Sequence, residues 1–336
     1  MRRLVMILTI LFVLVSGSSA LAVTLKIATA VPEGSYWMNQ MRAGAKEIKE
    51  RTQGRVSIKF YGGGVMGNDK SVLRKIRVGQ LHGGAFTAGG LSAVYADLKL
   101  YSLPFLFRSA EEVRTVREKI DPILKKGLLE KGFVSFGFAG GGFANLMSSS
   151  LLRGMDDVRE RKVWVPEGDI VSYAVLESLN VSPVSLNMID VMTGLQTGLL
   201  DIVVATPTAA LAFQWHTKIR YVVDTPLVYV VAVLALDRRV YSRIKPEDQL
   251  VVDEVMSRIY REFNQQGAAD NGLAIEAMKK QGIEFVTIDS ADIETWRKDA
   301  ISVELRLADE GIYSKTVFEL LLGCLNECRA EWSGAQ

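Results

Sequence analysis

The chain has 336 residues, 49% hydrophobic and 23% charged, with a formal net charge of +2, two histidines and two cysteines. This balance excludes a disordered chain and a disulfide scaffold, and it leaves no basic surface for nucleic acid. The length allows two domains of ordinary size.

Arg2 and Arg3 precede an apolar run from Leu4 to Val15, and small residues ending Ala20-Leu21-Ala22 follow. That order of charged, apolar and small residues is a secretory signal, with cleavage expected after Ala22 in 1–22. A run of about twelve residues falls short of the ~20 that span a bilayer. Cleavage removes two arginines and no acid, so the mature charge falls to zero.

Val23 to Ala28 alternates as a first strand, and Gly34 to Arg51 carries Met38, Met41 and Ile48 at helical spacing. Val56 to Tyr61 predicts a second strand, and Gly62-Gly63-Gly64 turns into a helix over Lys70 to Val78. A short strand around Ala85-Phe86-Thr87 follows, then Leu103-Pro104-Phe105-Leu106-Phe107. Ser109 caps a helix reaching about Lys126, with Glu112 three residues on. Phe133 to Phe138 is a strand that runs into a glycine turn at Gly140-Gly141-Gly142.

The segment Gly142 to Pro166 reads as a strand, a loop and a strand ending Lys162-Val163-Trp164-Val165-Pro166. Alternation puts Val163 and Val165 on one face and Trp164 on the other, at a strand end where open α/β sheets often bind ligands. Core packing is the plainer role for such an indole. Helices near Asp169–Leu179 and Met188–Thr197 alternate with strands near Val181–Leu186 and Ile202–Ala205; the second strand is unalternated and suits burial on both faces. Residues 227–236 form another apolar strand. Pro246 to about Gln281 is helical throughout, with proline at its first position and Glu247 and Asp248 beside the positive dipole end. At roughly 50 Å this helix passes both lobes of a protein this size. A strand over Ile283–Ile288 and two helices, Asp292–Glu310 and Lys315–Trp332, close the chain.

Reactive groups in suggestive settings are missing. His82 and His216 have no metal-ligand partner at helical spacing, and Cys324 and Cys328 supply two thiols, fewer than four ligands. A bridge between those cysteines, four apart on one helix, closes a strained small loop. The glycine triplets lack the lysine and hydroxyl of a phosphate loop, and no G-x-S-x-G elbow is present. No catalytic residue, metal or cofactor is expected, and an exported enzyme is opposed by these sparse groups.

The segments Leu25-Lys26-Ile27-Ala28, Gly34-Ser35-Tyr36-Trp37, Glu50 to Val56, Leu103 to Phe107, Trp164-Val165-Pro166 and Leu195-Gln196-Thr197-Gly198 with Asp201 resemble the extracytoplasmic solute-binding proteins of TRAP transporters, the DctP type. The match runs in order over nearly the whole mature chain. It implies a periplasmic, monomeric α/β protein of the solute-binding class: two lobes, a central ligand cleft, and a long helix spanning both. Lobe I is expected from 23–141 with 232–270, and lobe II from 142–231 with 271–336. The implied partners are a small organic solute and the membrane permease subunits that receive it; service to a sensor or another carrier is the alternative.

The departures concern the ligand. Where the family usually has an arginine just before Val-Pro, gripping a carboxylate through its planar fork, this chain has Trp164. A second arginine position, after the Gly-Phe, is Ala144; a third, usually polar, stretch here reads Val203-Val204-Ala205-Thr206. An unpaired carboxylate desolvated among such groups costs several kcal/mol. The ligand expected is therefore neutral, aromatic or apolar, unless the anchor has moved to Arg153, Lys162 or Lys218. Positions matching the family's cleft add Tyr36, Trp37, Phe86, Phe143, Tyr173, Thr206 and Trp215 to Trp164 and Ala144 as lining candidates.

Overall fold

The computed structural model describes residues 22–333, so the expected export signal lies outside the described residues apart from Ala22. Its strands are β1 (Val23–Thr29), β2 (Val56–Tyr61), β3 (Gly83–Thr87), β4 (Phe133–Ser148), β5 (Lys162–Pro166), β6 (Ser182–Leu186), β7 (Ile202–Ala205), β8 (Tyr221–Val223), β9 (Val228–Asp237) and β10 (Glu284–Val286). The sheet order is β2-β1-β3-β9-β4-β7-β5-β6, with β8 also pairing β4 and β10 pairing β8. Two α/β lobes result. One is built on β1 to β3 and the other on β5 to β8 and β10.

The lobes share β4. Its first part runs antiparallel to β9, from Phe133 opposite Asp237 to Ala144 opposite Val228, and its last part pairs β7, from Asn145 opposite Ala205. The sequence places a turn at Gly140-Gly141-Gly142, and the structure instead keeps these glycines inside the strand. The register shifts there, with Gly140 opposite Val231 and Gly142 opposite Val230, so the extra residue is absorbed as a bulge. Glycine is needed at this spot: Gly142 has φ +94°, and a Cβ on Gly140 would lie 2.2 Å from the hydroxyl of Tyr229.

The helix Pro246–Lys280 serves both halves. Val252, Val255, Met256 and Ile259 bury against Leu25, Ile27, Met38 and Met41 of the first lobe, whereas Met278 joins the second lobe's cluster with Trp164 and Trp215. Its first turn is tied by Asp248, whose carboxylate takes a two-pronged grip from Arg55 at 2.8 and 2.9 Å. Asn264 accepts from the amide of Gly140, and Asn271 donates to the carbonyl of Gly141, which fastens the helix to the bulge. The helix Ser290–Asp309 packs on Ile170–Ser178 in the second lobe. The last helix, Lys315–Ser333, packs on Ala110–Glu130, and Arg329 reaches Glu112 at 2.8 Å. The sequence division gives that last helix to lobe II with the rest of 271–336; the helix it packs on, Ala110–Glu130, lies against β4, which both lobes share. Cys324 and Cys328 are both buried and both free thiols.

Candidate functional site

Between the lobes lies a cavity of about 250 Å³ whose wall is mostly apolar. Four of the residues singled out from sequence line it: Ala144, Trp164, Thr206 and Trp215. Trp164 sits in β5 with parallel neighbours on both sides, so Val163, Trp164 and Val165 are all buried. Its indole Nε1 donates to the carbonyl of Leu186 at 3.0 Å, which fixes the ring. Trp215 meets it edge to face at 5.3 Å, and Phe213 stacks on Trp215 at 5.2 Å. Such pairs add about 0.5–1.5 kcal/mol beyond burial and hold the rings in one arrangement. Gln214, in the left-handed region at φ +60°, makes the turn that brings Phe213 and Trp215 together. Thr206 caps the helix Pro207–Ala212: its hydroxyl accepts from the amide of Ala209 at 3.2 Å.

The other five candidates stand elsewhere. Tyr36 and Trp37 pack on Phe263 of the long helix, with the Trp37 ring stacked at 6.0 Å; the contact half-buries Trp37 and leaves Tyr36 exposed. Phe86 points into the first lobe's interior beside Val72. Phe143 backs the wall at one remove, edge to face at 5.1 Å with Tyr229, which does line the cavity. Tyr173 is on the outer part of its helix, 38% exposed. Arg153, Lys162 and Lys218 are absent from the lining; Lys162 instead donates to the carbonyl of Gly198 at 2.9 Å.

Sequence reasoning missed Tyr229, Phe213 and Phe105 on the wall, and Asn68, Asp69, Lys70 and Glu167 at its polar part. Phe105 is held at φ +60° with its amide donating to the carbonyl of Leu227, and the Leu-Pro-Phe punctuation was its only signal. Lys70 pairs with Glu167 at 2.6 Å, and Asn68 donates to Glu167 at 3.1 Å and to Asn187 at 2.8 Å. Residues 68 and 70 belong to the first lobe, and residues 167 and 187 to the second. These bonds hold the cleft closed, as does Gly64, whose Cα faces Ile189 so tightly that a Cβ would come within 2.6 Å. Among the described residues Lys70 is the one cation in the lining, and no arginine reaches it. Burial, with the nearby Glu167 charge, pushes the Asp69 carboxyl up to about 6. Asp169 is also raised by burial, against hydrogen bonds from Ser172.

Residues 27–309 match the family model DctP, bacterial extracellular solute-binding protein, family 7. The chain belongs to that family. DctP proteins are the periplasmic solute-binding components of TRAP transporters; they bind small molecules, work with membrane permease subunits, and are not enzymes. The fold is shared with a TRAP periplasmic solute-binding protein of Xanthobacter autotrophicus holding β-D-galacturonate, at TM-score 0.82 and 20% identity over 90% of this chain and 99% of that one. One from Desulfovibrio salexigens with bound orotic acid gives TM-score 0.83 at 17% identity, again over 90% and 99%. Among curated DctP relatives, the 2,3-diketo-L-gulonate-binding periplasmic protein YiaO of Escherichia coli is 22% identical over 71% of this chain and 74% of its own length.

Proposed function

We propose that this DctP protein is exported by its cleaved signal, acts as a monomer, and captures a solute whose buried part is neutral, aromatic or apolar, then delivers it to the permease. The observation that carries the reading is the cavity wall. Trp164 stands in the middle of β5, locked against Trp215 and Leu186, and among the described residues the single lining cation is already paired with Glu167. A planar or aliphatic ligand gains ~25 cal/mol per Å² of apolar surface removed from water there, whereas a carboxylate meets no free guanidinium. Closing of the lobes around the ligand makes the form that a permease distinguishes from the open one.

A second reading has its own support. Several solved relatives hold acids: D-glucuronate in the Pseudomonas putida protein and L-gulonate in that of Haemophilus influenzae. In this chain such an acid would take Lys70 from Glu167. Native mass spectrometry of gently purified protein, with a thermal-shift screen of galacturonate, glucuronate and C4 dicarboxylates, separates the two. The first reading expects a co-purified uncharged or apolar molecule and little shift with the acids. A large shift with a sugar acid, abolished by Lys70→Ala, establishes the second.

A further inference from the structure

The cavity is lopsided in charge. Among the described residues, three acids, Asp69, Glu167 and Asp169, line it with one cation, Lys70. Two of the acids are engaged: Glu167 holds Lys70 and Asn68, and Asp169 caps its own helix by accepting from the amide of Ser172 at 3.1 Å and its hydroxyl at 2.7 Å. Asp69 is different. Among the described residues no hydrogen bond or ion pair ends on its carboxylate, which is half-buried in the cavity wall with its oxygens still open to the cavity. Its Oδ2 presses on Gly90, where a Cβ would lie 2.2 Å away, and the nearby Thr87 hydroxyl accepts from the amide of Gly90 at 3.0 Å and makes no bond to Asp69.

A place in the first turn of the helix Asp69–Arg77 is an ordinary reason for an acid. It does not account for a half-buried carboxylate that faces the cavity without a donor and stands near a second acid, an arrangement that a bound donor would relieve. We propose that Asp69 is a recognition group of this cavity, and that its ligand is an aromatic or aliphatic body carrying an ammonium or similar cationic hydrogen-bond donor. The inference rests on the apolar-wall reading above and gives that ligand its polar end. The aromatic faces suit such a molecule too, since ring quadrupoles attract cations.

Charge around Asp69 comes from Lys70 on its own helix and from Glu167 and Asp169 across the cleft; the 87–90 segment against it brings none. Lys99, on the neighbouring 96–102 segment, is drawn to Asp169 and Asp97. With Asp69 titrating at about 6, a cationic ligand binds best above that pH and is released as pH falls through it.

The test uses three probes with one aromatic body: 2-phenylethylammonium, 2-phenylethanol and phenylacetate, measured by calorimetry on the mature protein at pH 7.5. Preference for the ammonium over the other two by about ten-fold or more is expected, the scale of a charge-assisted bond. Asp69→Asn is expected to erase that preference while retaining 2-phenylethanol binding. In unaltered protein, ammonium affinity is expected to fall between pH 7 and 5. Equal binding of ammonium and alcohol, unmoved by Asp69→Asn or by pH, overturns the role of Asp69 and leaves the apolar-wall reading standing. Preference for phenylacetate overturns both, and failure of the ammonium to bind at millimolar concentration overturns the proposal.

Discussion

Two pairs of aromatic residues invite comparison: Tyr36 with Trp37 at the start of the first helix, and Trp164 with Trp215 in the second lobe. In sequence both pairs are candidates for a ligand site, Trp164 at the family's arginine position and the other three at positions matching its cleft. In the structure the first pair packs on Phe263 of the long helix, and the second pair forms a cavity wall. Their hydrogen bonding differs as well. The Trp164 indole donates to Leu186, whereas the buried Trp37 indole has no partner among the described residues. What each ring packs against, rather than residue type, separates the two: Trp37 lies against the long helix, whereas Trp164 and Trp215 lie against each other at the cleft.

The largest effect is expected from truncation. Trp164→Ala should lose about 3–5 kcal/mol of stability in denaturant unfolding and with it the binding of any solute identified by mass spectrometry. Trp37→Ala should also destabilise but leave ligand affinity within a few-fold; equal loss of binding from both would erase the distinction. Next comes the bulge. Gly140→Ala drives a methyl into the Tyr229 hydroxyl and is expected to cost about 1–3 kcal/mol, with altered ligand affinity because Tyr229 lines the cavity.

Smaller effects sharpen the contrast. Trp164→Phe removes one of two donors to the Leu186 carbonyl, which keeps the Glu167 amide at 3.1 Å, and is expected to cost about 1 kcal/mol, whereas Trp37→Phe removes an unsatisfied group and is expected to be near neutral. Asp69 gives a pH signature in the absence of ligand. Its folded pKa, about 6, lies above the ordinary 3.8, so its favourable contribution is complete below about pH 4 and is lost as pH rises through 6. Asp69→Asn should therefore match the unaltered protein in melting temperature near pH 4 and exceed it at pH 7.5, by the equivalent of about 1 kcal/mol. Smallest is Lys70→Ala, which removes a partly exposed pair worth at most about 1 kcal/mol and is expected to show mainly as faster ligand release.

The strand and helix pattern was legible because each element carries its own period and punctuation. The 35-residue helix Pro246–Lys280 announced itself by its proline start and unbroken spacing. The strand β4 was not legible at full length, because three glycines in a row signal a turn and only the pairing with Val230 and Val231 keeps them extended. Among site residues, Trp164 could be found because it stands where the family usually has an arginine, and Trp215 because it follows the apolar strand β7. Asp69, Lys70 and Glu167 could not, since charged residues at a helix start or in a loop look like ordinary surface. Tyr229 was hidden inside an apolar run that reads as uniform core, and only the pairing of β9 with β4 turns it toward the cleft.

The sixteen-residue strand β4 also bears on how the molecule comes apart. One stretch of backbone is hydrogen-bonded into both halves, and the long helix is packed against both. No contiguous fragment of the chain holds a complete lobe, so neither half can be cut out and expressed alone. The protein is accordingly expected to melt in a single cooperative transition, and proteolytic nicks that leave it folded will fall in surface loops rather than between the two halves.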